Sequence, residues 1–173
     1  NMMMWAYAGR GLFLSDGATN VMPVGPHRAR QGAQLSLRQQ AENQSAVHAA
    51  WRLAYRHNRH SLETGFYQGW DLHPAQLPVR YAACYAFFLE SLAPAAERLR
   101  NFVDKAAQAT LAGDVFDDAA TGQGLLNYFL RALNCGAVSE PEVSVTGLTL
   151  SEIQMRSFAQ MLAARRARLG ASG

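Results

Sequence analysis

Gly65-Phe66-Tyr67-Gln68-Gly69-Trp70-Asp71-Leu72-His73-Pro74-Ala75-Gln76-Leu77-Pro78 stands between two long helical patterns and continues neither of them. Proline fixes its own backbone and pushes the preceding residue away from helix, so Pro74 and Pro78 demand an extended or turning chain. Gly65 suits the left-handed cap that ends a helix. Gly69 to Leu72 is long enough for a short buried strand, which places His73 at the strand's carboxyl end and Pro74 near the start of the next helix. A titratable side chain at such a strand end, with helices on either side, is where α/β enzymes carry their chemistry.

The same residues resemble the Gly-Phe-x-Gly-Lys-x-x-Ile-His-Pro-x-Gln-Ile signature of the citrate lyase β-subunit-like (HpcH/HpaI aldolase) family. Gly65, Phe66, His73, Pro74 and Gln76 match it, and Leu72 and Leu77 replace its isoleucines. Gln68 stands where the family has Gly, and Gly69 where it has Lys. The resemblance implies an α/β fold: the carboxyl-terminal part of a TIM (β/α)8 barrel with its last two strands, followed by a helical extension. Residues 1–92 would be the barrel portion and 93–173 the extension, with most of the chain present helical. It also implies that the sequence is a piece of something longer, since such a barrel takes about 250 residues.

Upstream of the junction, Asn1 to Ala8 reads as the last turns of a helix closed by Gly9. Gly11-Leu12-Phe13-Leu14 is a short apolar run that stops at Ser15-Asp16-Gly17, and a buried strand, the seventh of the barrel on that resemblance, is expected there. Asp16 then lies on the same rim as His73, although an aspartate that only makes an Asx-turn is the commoner case for these residues. Thr19 to Pro26 reads as a structured loop, and the glutamine-rich stretch from His27 to Ser45 as a mobile loop or weak helix. From Ala46 to Phe66 apolar residues recur at helical spacing, opposite a basic stripe of His48, Arg52, Arg56 and Arg59.

Beyond the junction a helix is expected over Val79 to Leu92, apolar nearly all round, so that Trp70 and Tyr67 before it are most simply core residues. Further helices are expected over Ala95 to Leu111 and Ala119 to Leu133, and a last one opens at the Thr149 and Glu152 capping box and runs to about Leu169. Asp117 and Asp118 precede the Ala119 helix, where a carboxylate can accept from free amides at the helix start. The resembling family carries a Gly-x-Met-Ile-Asp-x-Pro segment here whose Asp reaches a neighbouring subunit's active site. Val115-Phe116-Asp117 aligns on it, which implies Asp117 as a catalytic acid or base and a homo-oligomer as the working form.

Composition narrows the alternatives. The chain has 173 residues, 49% of them hydrophobic, enough for a packed core, and its formal charge is +3. That balance is too mild to argue for nucleic acid. Two cysteines, Cys84 and Cys135, exclude a disulfide framework and point to a reducing, cytoplasmic setting. No apolar run is long enough to anchor the chain in a membrane.

The reaction implied by the resemblance is the cleavage or formation of a carbon–carbon bond in a 2-oxo or hydroxy acid, or in its coenzyme A thioester. Gly69 in place of Lys argues against the thioester. Such chemistry passes through an enolate that Mg2+ stabilises as a Lewis acid, with metal ligands expected upstream of this chain, so the chain by itself is expected to lack the metal site and to be inactive. Asp16, His73 and Gln76 are then the substrate-binding candidates and Asp117 the catalytic one. The contrasting expectation is a stand-alone helical interaction protein that binds through the basic stripe and catalyses nothing.

Overall fold

The computed structural model describes residues 2–7, 10, 12, 14–111 and 119–170. The chain divides into two compact units, residues 1–87 and 88–173. In the first, helix α1 (Met2–Tyr7) precedes a two-residue strand, β1 (Ser15–Asp16). A long connection leads into helix α2 (Leu37–Glu63), which is followed by β2 (Tyr67–Gln68), a 3-10 turn (Pro74–Gln76) and helix α3 (Leu77–Glu90).

The expected α/β barrel portion is overturned. Among the described residues the only strand pairing is β1 with β2, parallel, Ser15 opposite Tyr67 and Asp16 opposite Gln68. The remainder is helix and loop, so the fold class is helical, with one minimal parallel ladder made possible by the α2 crossover. Leu12 and Leu14 of the first expected strand are not extended partners, and neither are Gly69 to Leu72 of the second. The reason for the second lies in Arg80. Its guanidinium takes the carbonyls of Gln68 and Trp70, occupying acceptors that a longer ladder would need.

Helix α2 starts nine residues before the expected Ala46. Ser36 accepts from the Gln39 amide while the Gln39 side chain accepts from the Ser36 amide, a capping box that converts the glutamine-rich stretch into the first turns of the helix. At its other end Gly65 adopts a φ of +80°. Phe66 N–H then reaches Ser61 O and Gly65 N–H reaches Leu62 O, the paired bonds of a Schellman cap, with Phe66 buried behind them. Ala50, Ala54, Asn58 and Ser61 form the buried stripe of α2. Asn58 is tolerated there because its amide donates to the Ala54 carbonyl.

The second unit is wholly helical among its described residues: α4 (Leu92–Leu111), α5 (Ala119–Asn134), α6 (Glu140–Val143), a 3-10 turn (Ser144–Thr146), α7 (Leu150–Gln154) and α8 (Phe158–Gly170). Helices α4, α5 and α8 pack together around Leu99, Val103, Leu126, Phe129, Phe158 and Met161. Gly122 lies against the Phe158 ring, where a Cβ would come within 2.6 Å of ring carbons. The stretch Ser139 to Gly147 holds α6 and the 3-10 turn.

The capping box of Thr149 and Glu152 forms, but the helix it opens is short. Arg156 takes a φ of +58°, a left-handed conformation that costs a residue bearing a Cβ and breaks the helix. Gln123 of α5 holds the break. Its amide nitrogen donates to Arg156 O and its oxygen accepts from Phe158 N–H, capping the start of α8.

Candidate functional site

The loop from Gly69 to Pro74, together with Leu77 and Arg80 on α3, encloses an open cleft of about 470 Å3. Two side chains from the start of the next helical segment hold its wall. Arg80 lies one turn into α3, and each of its three guanidinium nitrogens donates within the loop. Nε and Nη2 make a bidentate pair with Asp71 at 2.6 and 2.9 Å, Nη1 reaches Gln68 O at 2.7 Å, and Nη2 also reaches Trp70 O at 2.9 Å. Asp71 and Arg80 are only 14% and 20% exposed, so this pair is a geometric fixture and not a solvated surface contact.

Gln76 is the second holder and is 1% exposed. Its oxygen accepts from Leu72 N–H at 2.9 Å and His73 N–H at 3.2 Å, while its nitrogen donates to Thr19 O at 2.9 Å and Val21 O at 3.3 Å. The amide thus satisfies backbone groups of two separate loops. The motif's Gln is a clamp, and it does not line the cleft.

His73 does line the cleft. It is the N-cap of the 3-10 turn, with φ −148° and ψ 138°, and its Nδ1 accepts from Ala75 N–H at 3.1 Å. An accepting Nδ1 carries no proton, so the neutral ring has its proton on Nε2. Among the described residues Nε2 has no hydrogen-bond partner. Trp51 of α2 steadies the same turn by donating its indole N–H to Ala75 O at 2.7 Å.

Asp16 is not on the rim of this cleft. Its carboxylate accepts from the Ser61 hydroxyl at 2.6 Å, tying β1 to α2. Next to it, Thr19 is buried and accepts from the Gln68 amide at 3.1 Å, and its hydroxyl shares a hydrogen bond of 3.1 Å with His57 Nδ1. The connection that carries Thr19 is pinned again farther along. Asn43 exchanges both amide groups with the backbone of His27, at 2.8 and 2.9 Å, and the His27 ring meets Glu42. Glu42 also accepts from Arg38 at 2.8 Å, and these two contacts, Arg38 foremost, hold its carboxyl below the ordinary range.

The structure therefore separates the expected substrate-binding residues. His73 faces the cleft, Gln76 builds its wall, and Asp16 secures the strand pair. Asp117 lies outside the described residues. Trp70, expected in the core, is instead 63% exposed on the cleft, because Arg80 and Gln76 fix the loop without needing its side chain. Arg80 escaped notice in the sequence; an Arg nine residues after Asp71, across a proline-punctuated turn, was the available sign. The basic stripe on α2 is partly spent, since Arg59 pairs with Glu63 and lies over the Phe87 ring.

Among the described residues no group of three or more His, Cys, Asp or Glu side chains is gathered as metal ligands, and no helix is long and apolar enough to cross a membrane. Neither the curated proteins nor the solved structures give a match to this chain. Residues 1–161 do match the family described as a domain of unknown function, DUF6986, and the chain belongs to that family.

Proposed function

We propose that the chain is part of a carbon–carbon lyase or aldolase acting on a 2-oxo or hydroxy acid, with the junction cleft as one wall of its substrate site. The observation that supports this reading best is the unpartnered Nε2–H of His73, held in one orientation by the Ala75 amide in an otherwise mainly apolar cleft. A fixed neutral donor suits a carbonyl or hydroxyl oxygen beside the bond that breaks, where charge develops during the reaction. The reaction class comes from the resemblance of Gly65 to Leu77 to the aldolase signature. Asp117 keeps its role as acid or base on the same ground, and so does a homo-oligomeric working form.

Mg2+ would supply Lewis-acid stabilisation of the enolate in such a reaction. The carboxylates near the cleft do not fit it: Asp16 is bonded to Ser61 and Asp71 to Arg80, so no step is routed through a metal on these residues. A basic docking face on α2 draws less support, given what Arg59 already contacts.

The test is pyruvate release from 2-oxo and hydroxy acids, with Mg2+ present, by the full-length protein that carries this chain and by its His73→Asn variant. Asn retains an N-cap acceptor for Ala75 N–H but lacks the Nε2 donor. The expected result is a fall in kcat/KM of roughly a hundredfold with an unchanged melting temperature. Full turnover in the variant, or no turnover of any such acid by the full-length protein, refutes the reading.

A further inference from the structure

Resting on that reading, we infer that the cleft beside Trp70 takes an uncharged, planar, carbonyl-bearing part of the substrate and turns away anionic groups such as phosphate or carboxylate. Trp70 offers an open indole face, and Leu72, Pro74 and Leu77 continue the apolar wall. A flat group stacking on indole gains dispersion and excludes water from both faces.

Charge settles which flat group. Arg80 is the one permanent cation among the residues lining the cleft, and its bidentate bond to Asp71 leaves a compact dipole where an anion would need a free positive charge. Recruiting Arg80 to a ligand would strip Asp71 of its partner in a poorly solvated place, which is strongly unfavourable. Gly69 brings no charge either. Among the lining side chains other than Trp70 one uncommitted donor remains, His73 Nε2–H, and one side-chain donor beside an aromatic shelf suits an acceptor oxygen on a planar frame. A cation would gain the indole face but would meet the donor proton of His73.

Three ligands of nearly one shape separate these possibilities: acetophenone, benzoate and phenyltrimethylammonium. Each is titrated into the full chain while the indole N–H resonances of its three tryptophans are followed by NMR. Trp51, whose N–H is bonded to Ala75 O, is the internal reference, and Trp70→Phe assigns the reporter. Acetophenone is expected to shift the Trp70 signal saturably, with benzoate and phenyltrimethylammonium at least about tenfold weaker.

His73→Asn is expected to weaken acetophenone by about tenfold, and Trp70→Ala to abolish its binding. Trp70 is exposed, so its loss leaves the fold intact; should that variant unfold, His73→Asn and the ligand series still decide. Equal or tighter binding of benzoate or of the ammonium overturns the inference, and so does acetophenone binding that is absent or indifferent to both variants. Pyruvate release is measured on the full-length protein that carries this chain. Turnover without selective acetophenone binding sinks only this inference, whereas selective binding without turnover on any 2-oxo or hydroxy acid sinks only the lyase reading.

Discussion

Replacing Gln76 by Leu keeps the side chain's bulk while removing all four of its hydrogen bonds, two donated to Thr19 and Val21 carbonyls and two accepted from Leu72 and His73 amides. A buried backbone group left without a partner costs about 1–3 kcal/mol. The contacts at 3.2 and 3.3 Å are long, so the two at 2.9 Å carry most of the loss. Counting those two in full gives about 2–6 kcal/mol, offset by roughly 1 kcal/mol of added apolar burial. Against a typical domain stability of about 5–15 kcal/mol, that is a severe lesion from one buried amide. Urea denaturation followed by hydrogen exchange at Leu72 and His73 checks it. The midpoint should fall and both amides should lose protection. A change under about 0.5 kcal/mol, with both amides still slow, would refute the clamp.

Three further outcomes follow from the packing and the titration behaviour. Gly122→Ala places a methyl carbon against the Phe158 ring at the crossing of α5 and α8, and should destabilise the second unit by about 1–3 kcal/mol, read from its thermal midpoint. Gly25→Ala sets a Cβ 2.4 Å from Asn43 Cγ, so the His27 clamp must open; faster exchange of the His27 amide, which donates to Asn43, is the readout. Burial raises Tyr128 from 10.0 to about 12. Between those values the native chain keeps a proton that the unfolded chain has released, so stability falls as pH rises through that window, and Tyr128→Phe should flatten the slope.

Local signals were legible where a residue answers to its immediate neighbours. Gly65 as a left-handed cap, the Thr149 and Glu152 box and the α5 span all depend on contacts within a few residues, and each is found in the structure. Ser36 with Gln39 was an equally local signal, and the surrounding glutamines hid it. What local reading missed depends on side chains reaching across the fold. The strand expected over Gly69 to Leu72 yields to Arg80, whose grip on two carbonyls cannot be seen in a run of apolar residues. Trp70 looked like core because indole usually is buried, and only the cleft geometry makes it a surface. The single helix expected from Thr149 onward is split by Arg156 and Gln123, a pairing separated by thirty-three positions in the chain.

The loop from Gln68 to His73 keeps its course because residues outside it hold its backbone: Arg80 by two carbonyls, Gln76 by two amides. Nothing in that scheme asks Trp70 or Leu72 for a particular side chain, and Leu77 next to them is exposed as well. Positions 70, 72 and 77 are therefore free to diversify while the frame stays put. A library randomised at those three sites, proline excluded because position 72 must keep its N–H for Gln76, should fold as readily as the parent and differ only in what its members recognise, which makes this segment a ready place for specificity to diverge by descent or to be reassigned at the bench.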